Sequence, residues 1–294
     1  MSTSKLSGQL LPVFSLLLTA SLWGLVWYPL RLLENRGLSG LWLTLTSYGA
    51  ILVPGLFWVA GHLRARPGHG LVFALMSLAV GWCNVAFVLA ILHGTVVRVL
   101  LLFYLSPLWA LLLGWLMLGE KPARSGAWVF VLSIAGALIM LWDEQIGIPW
   151  PRDTSDWLAV SSGFTFAFGN VMLRQMGEVH LGVKAVASWF GVVLVAALWI
   201  LFARVAMPEA SAPTWIGAMA LGWFGFLIMT LTVIYGVTHM PVHRSAVILL
   251  FELVVGATSS LLLTSEVVRG REWIGGGLIL FAAYLAAREQ VSDG

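Results

Sequence analysis

Apolar residues run in long stretches along this chain, and polar residues are confined to short links between them. Windows of about 20 apolar residues, the length that crosses a hydrocarbon core, fall at 10–33, 40–61, 71–92, 97–118, 124–142, 156–175, 183–206, 213–238, 243–264 and 272–288. Four links are clearly polar, at 62–70, 119–123, 143–155 and 265–271. The links after the third and eighth windows are so short that each flanking pair reads as an antiparallel hairpin. Fusing either pair would bury His93 or His239 and need a helix of about twice the spanning length. The expected fold is all-α and integral to the membrane, with ten transmembrane helices.

One position conflicts with this pattern. The ninth window, 244–263, reads RSAVILLFELVVGATSSLLL and carries a carboxylate, Glu252, near its middle. Nine positions after His243, Glu252 lies about 13 Å into the helix. An acid at that depth costs a few kcal/mol unless it faces a partner, a cavity or water.

Composition strengthens the membrane reading. Sixty per cent of the 294 residues are hydrophobic and ten per cent are charged, against about a quarter charged in a soluble domain. The net charge of +3 reflects few acids rather than a basic patch, so no nucleic-acid partner is indicated. Cys83 is the only cysteine and sits in an apolar run, which excludes intramolecular disulfides and cysteine metal cages. The first window contains Trp23, Trp27 and Tyr28, exceeds a signal-peptide core and reads as a retained helix. Placing the N-terminus on side one gives that side nine of the sixteen Lys and Arg residues. This small excess favours a cytoplasmic position for both termini.

The chain also repeats itself. At an offset of 146, His93 matches His239, Arg98 matches Arg244, Leu116 matches Leu262, Glu120 matches Glu266 and Ala137 matches Ala283, while Asn84 falls on Thr230. Each half, 1–142 and 156–294 around a linker at 143–155, then holds five helices. Five is odd, so the second copy enters the membrane upside down, and equivalent residues lie on opposite faces. The expected architecture is two inverted five-helix repeats around a central cavity, which suits alternating access.

The segment Tyr104-Leu105-Ser106-Pro107, followed by an apolar run ending in Gly119-Glu120, resembles a signature of EamA-type carriers in the drug/metabolite transporter superfamily. The second half echoes it as Phe251-Glu252, an apolar run and Ser265-Glu266, and Trp23-Gly24 and Phe168-Gly169 also fit. Leu253 stands where the family usually has proline, and Ser265 where it usually has glycine. Among members, the aromatic richness is most similar to the bacterial aromatic amino acid exporters. The resemblance implies a carrier in the bacterial plasma (inner) membrane that exports amino acids or related metabolites through a central cavity.

Candidate binding residues follow from depth and chemistry, each beside a structural alternative. Glu252 either lines a cavity, where it holds a substrate amine or a proton, or is a structural acid bonded to a neighbour such as Thr230 or Thr232. Pro107, in the middle of the fourth window, frees a carbonyl near residue 103, as a kink or as a substrate contact. Trp23 and Trp27 are one turn apart, as are Phe164 and Phe168. With Trp82, Tyr104 and Tyr235 they form either an apolar π-lined site or lipid-facing and packing residues. Asn84 and Asn170 need partners that lipid does not supply, from a cavity or from another helix; Ser106 sits beside Pro107. Glycines and alanines such as Gly136, Gly275 and Ala282 read as close helix packing or a dimer face, leaving monomer and weak dimer both open.

Other chemistries are set aside. Gly114…Gly119-Glu120-Lys121 lacks the ending of a phosphate loop. His239 and His243 have ligand spacing, but Pro241 between them argues against a helical metal site. No Ser/His/Asp set shares one membrane level. The expectation is a secondary transporter with no cofactor, acting on amino acids, aromatic and other neutral ones among them, as a facilitative uniporter. A proton-coupled antiporter of drugs, nucleosides or sugar phosphates is the alternative, and a non-transporting membrane enzyme or scaffold the alternative class. The first window has an acid only at its end, Glu34, and the sixth only at its ends, Asp156 and Glu178. Glu252 is therefore the one deep candidate for a proton carrier.

Overall fold

A computed structural model describes residues 3–60, 70–93, 99, 102–120, 124–142, 151, 153–177, 179–263 and 270–292. Arg98, Ser265 and Glu266 lie outside the described residues, as do most of the links 62–70, 143–155 and 265–271. The helices are α1 (Thr3–Glu34), α2 (Gly40–Val59), α3 (Gly70–His93), α4 (Ser106–Leu118), α5 (Arg124–Leu141), α6 (Thr154–Gln175) and α7 (Leu181–Ala203). They continue as α8 (Ala212–His239), α9 (Val242–Leu249), α10 (Phe251–Leu263) and α11 (Gly270–Ser292).

Among the described residues, α1 from Leu10, α2, α3 as far as Ala90, α7 and α8 are each long and apolar enough to cross a membrane. Shorter apolar stretches occupy Leu108–Leu118 in α4 and Trp273–Ala282 in α11. Pro12 and Pro29 inside α1 and Pro54 inside α2 do not stop these helices, as is usual where neighbouring helices re-satisfy the freed carbonyls.

Two windows expected as single helices are broken. The fourth breaks at Leu105, which caps α4, so Pro107 lies in the first turn of a new helix rather than in the middle of one. A missing N–H costs nothing there, because the first turn has no intrahelical acceptor. The ninth breaks at Leu250, which ends α9, so Glu252 sits in the first turn of α10. Both breaks carry the same i→i+3 bonds at an offset of 145: Leu105 N–H to Leu102 O at 3.3 Å and Leu108 N–H to Leu105 O at 3.0 Å, then Leu250 to Val247 at 3.2 Å and Leu253 to Leu250 at 3.0 Å. Leu253, standing where proline is usual, supplies the N–H that closes the second turn.

The halves also pack alike. α1 lies on α8 and α10 as α6 lies on α3 and α4; α2 meets α7, α5 meets α11, and α4 meets α9. Exchanging the halves maps each of the first six of these contacts onto itself or another. The core is filled by large side chains with almost no exposed surface, including Leu16, Met76, Met172, Trp189 and Met240.

Candidate functional site

The two helix breaks meet at Glu252. Its carboxylate accepts a hydrogen bond from the Tyr104 hydroxyl, which comes from the break preceding α4. Thr230 and Thr232 are otherwise engaged: Thr230 donates to Phe226 O at 2.6 Å, and Thr232 to Ile228 O at 2.7 Å while sharing a 2.6 Å bond with Thr19. Glu252 is half-buried. Each break is also held by a glycine of the opposite half. A Cβ on Gly24 of α1 would sit 2.7 Å from Glu252 O and 2.9 Å from Gly256 N. A Cβ on Gly163 of α6 would sit 2.6 Å from Phe103 O, the carbonyl that Pro107 leaves without a helical donor.

An aromatic and polar group from α1, α2, α3 and α8 adjoins the breaks. The Tyr48 hydroxyl donates to Asn84 Oδ1 at 3.0 Å, and Asn84 Nδ2 donates to Val80 O at 2.9 Å. Cys83 lies within electrostatic range of both Tyr48 and Glu252. Tyr48 stacks on Phe226 with centroids 4.7 Å apart, and Trp23 meets the same ring at 6.0 Å. Phe226 closes a π-helical turn, Gly222–Phe226, inside α8, a feature that concentrates at functional sites. Gly222 at the start of that turn lies against the Ser47 backbone, where a Cβ would collide with the carbonyl.

The remaining sequence candidates fall elsewhere. Trp27 donates from Nε1 to Ser259 Oγ at 3.0 Å on α10. Trp82 turns to α6 and α7, donating to Ser161 Oγ at 3.0 Å with its ring 5.5 Å from Trp199. Phe168 stacks on Phe164 at 6.3 Å, and Phe164 meets Trp109 edge-on at 5.5 Å, so this pair faces α4 rather than Trp23 and Trp27. Ser106 and Asn170 are buried. Tyr235 stacks on exposed His239 at 4.3 Å near the end of α8. Sequence reasoning missed Tyr48, Phe226 and Trp109. The indole N–H of Trp109 is buried with no hydrogen-bond partner.

A charged cluster binds the helix ends on one side. Gly119 caps α4 with φ 69°, and Glu120 N–H returns to Gly114 O at 3.2 Å. Only a residue free of Cβ strain takes that conformation readily, so Gly119 aims Glu120 back at the bundle. Glu120 Oε1 pairs with Arg174 Nε at 3.1 Å, and Oε2 accepts Val242 N–H at 2.8 Å, at the start of α9. Arg174 Nη1 also donates to Thr238 O. Lys184, 1% exposed, donates to Gly177 O at 2.6 Å, Leu173 O at 3.4 Å and Thr238 Oγ1 at 3.1 Å. Cations thus meet the carbonyl ends of α6 and α8, and an anion the amide end of α9, as helix dipoles favour.

The profile of the EamA-like transporter family matches residues 10–142 and again 154–288. The chain belongs to the EamA-like transporter family. It is therefore a multi-pass membrane transporter of small molecules, within the drug/metabolite transporter superfamily. A solved crystal structure with 19% sequence identity matches it over 97% of this chain and 98% of its own, with a TM-score of 0.72. That likeness shows a shared fold. No curated protein matches the sequence. For an EamA-like chain, the Tyr104-to-Pro107 and Gly119-Glu120 segments acquire a physical role here: the first breaks a helix beside Glu252, the second caps α4 and anchors the charged cluster.

Proposed function

We propose that this chain is a secondary carrier that exports amino acids, the aromatic and other neutral ones first, by alternating access as a facilitative uniporter. The observation that carries the reading is the meeting of two helix breaks at one half-buried carboxylate, Glu252, bonded to Tyr104. Broken helices that meet in a membrane supply unpaired backbone groups and a charge to a polar ligand. Trp23, Asn84 and Phe226 nearby suit a flat side chain. In this reading Trp23, Trp27, Trp82, Asn84, Tyr104, Ser106, Phe168, Asn170, Tyr235 and Glu252 form the substrate path. Ten spans form two inverted repeats, 1–142 and 156–294, around a central cavity, with 143–155 as linker and both termini on the cytoplasmic side of a bacterial inner membrane.

Purified protein in liposomes preloaded with aromatic, neutral or charged amino acids, nucleosides or sugar phosphates tests this directly. Release of aromatic and neutral amino acids without an energy source is the expected outcome; no amino-acid flux, with or without a proton gradient, overturns it. Proton antiport is the second reading, favoured by Glu252 as an acid at helix depth. It requires flux to follow an imposed pH gradient and to stop in Glu252→Gln.

A further inference from the structure

A groove of about 410 Å³ runs between α1 and α10, lined by Leu25, Val254, Val255, Thr258, Leu262 and Leu263 among others. Its volume is in the range of small-ligand sites, and its walls are almost wholly apolar. The two helices run side by side in the same direction, since Gly24 faces Glu252 to Gly256 while Trp27 and Gly24 O both meet Ser259. Continuing both parallel helices by one turn from Trp27 and Ser259 brings Arg31 to about the height of Leu263.

The groove faces lipid. Leu11, Phe14, Leu18, Leu25 and Leu32 are exposed and recur every three, four or seven residues, which makes one stripe along α1. Leu25 belongs to both the stripe and the groove. Leu262 and Leu263 at the far rim are 75% and 47% exposed. In a chain shown to be a membrane transporter, such a stripe contacts acyl chains, and a groove opening on it is filled by one.

The head of that lipid has a recognisable address. Arg31 is exposed, and its guanidinium lies 5.4 Å over the Trp27 ring. The indole is itself fixed by its bond to Ser259 across the groove. An exposed arginine stacked on an aromatic at the end of an apolar, lipid-facing groove offers a lipid phosphate a cationic partner. Glu34 one turn on and Arg36 beyond it are the other charges at this end of α1, and together with Arg31 they leave it net positive.

We propose that the α1–α10 groove is a binding site for one anionic phospholipid, its acyl chain along Leu25, Val255 and Leu262 and its phosphate on Arg31. The lipid would press α1 against α10 where Gly24 abuts the helix break. The proposal rests on membrane embedding alone and is independent of which substrate is carried.

Native mass spectrometry of the detergent-solubilised full chain, titrated with phosphatidylglycerol or with phosphatidylcholine of the same acyl chains, tests it. Wild-type protein is expected to retain one phosphatidylglycerol about fivefold more tightly than phosphatidylcholine, the scale of one basic residue at a charged surface. Arg31→Gln should equalise the two lipids, Arg31→Lys should keep most of the preference, and Thr258→Trp, which fills the groove, should lose the single retained lipid of either kind. Equal retention by wild type, an unchanged preference in Arg31→Gln, or wild-type binding in Thr258→Trp overturns the proposal. High salt on wild-type protein probes the same charge without a substitution, and a preference that survives it counts against the Arg31 site.

Discussion

Glu252 and Tyr104 come from helix breaks that are far apart in sequence, and the hydrogen bond between them joins the two breaks directly. A hydrogen bond to a charged group is worth about 1.5–3 kcal/mol. Glutamine at 252 keeps an acceptor for Tyr104 but removes the ionisable carboxyl group. For a uniporter, Glu252→Gln should therefore keep energy-independent efflux, with KM changed by about tenfold. Trp109 makes a second residue-level test. Its buried indole N–H has no partner, and an unpaired buried donor costs about 1–3 kcal/mol. Trp109→Phe removes that donor and keeps an aromatic edge against Phe164. The expected outcome is an unchanged or higher melting temperature; a clearly lower one shows that the indole N–H contributes a stabilising contact.

At the scale of elements, the two breaks show that the turn does not depend on proline. Pro107 sits in the first turn of α4, whereas Leu253 donates to Leu250 O at 3.0 Å to close the matching turn. Leu253→Pro deletes one neutral hydrogen bond at a position that already begins a helix. A loss of about 1 kcal/mol is expected, with transport retained. The glycine contacts are less forgiving. In Gly24→Ala the new methyl would lie 2.7 Å from Glu252 O and 2.8 Å from Val255 Cβ. Overpacking of this kind costs about 1–3 kcal/mol, and here it pushes directly on the carboxylate-bearing turn. Both a lower melting temperature and lost flux are expected, and Gly163→Ala against Phe103 O should behave alike.

For the whole molecule, the charged cluster ties the helix ends on one side together. It joins the ends of α4, α6 and α8 to the starts of α7 and α9 through Glu120, Arg174 and Lys184. Under the 146-residue repeat, Arg174 corresponds to Tyr28 and Lys184 to Leu38, which is fully buried among Leu33, Leu43 and Ala218. Among the described residues, Leu38 thus stands in apolar packing where its repeat partner Lys184 stands in the charged cluster. Removing one partner of a half-buried pair strands the other, at a cost of about 1–3 kcal/mol or more. Glu120→Gln should therefore loosen that side alone. Hydrogen exchange should rise in 171–185 and 236–246 while the Leu33–Leu43 segment stays protected. A uniform rise would show general destabilisation instead of opening on one side.

The membrane class, the helical content and the positions of most helices were legible in the sequence, because every residue facing lipid must be apolar and every backbone group there must be paired within its helix. The repeat was legible too: the family profile matches the chain twice, and the matched His93 and His239 end α3 and α8. Glu252 stood out as a charge in apolar surroundings, and Tyr104 and the glutamate after Gly119 through the family signature. Pro107 signalled a kink in the fourth window but not a full break at Leu105, and the break at Leu250 was not legible, since the run Ile248-Leu249-Leu250-Phe251 carries no breaking signal and the turn is held by a glycine of the other half. Tyr48 and Phe226 were equally hidden, one aromatic among many until the π-turn in α8 brings their rings together. The sequence by itself determined what must be buried in lipid. Only the tertiary structure decided which aromatics meet, which carboxylate finds a partner and which helix ends share charge, because those depend on contacts between segments from 54 to 232 residues apart.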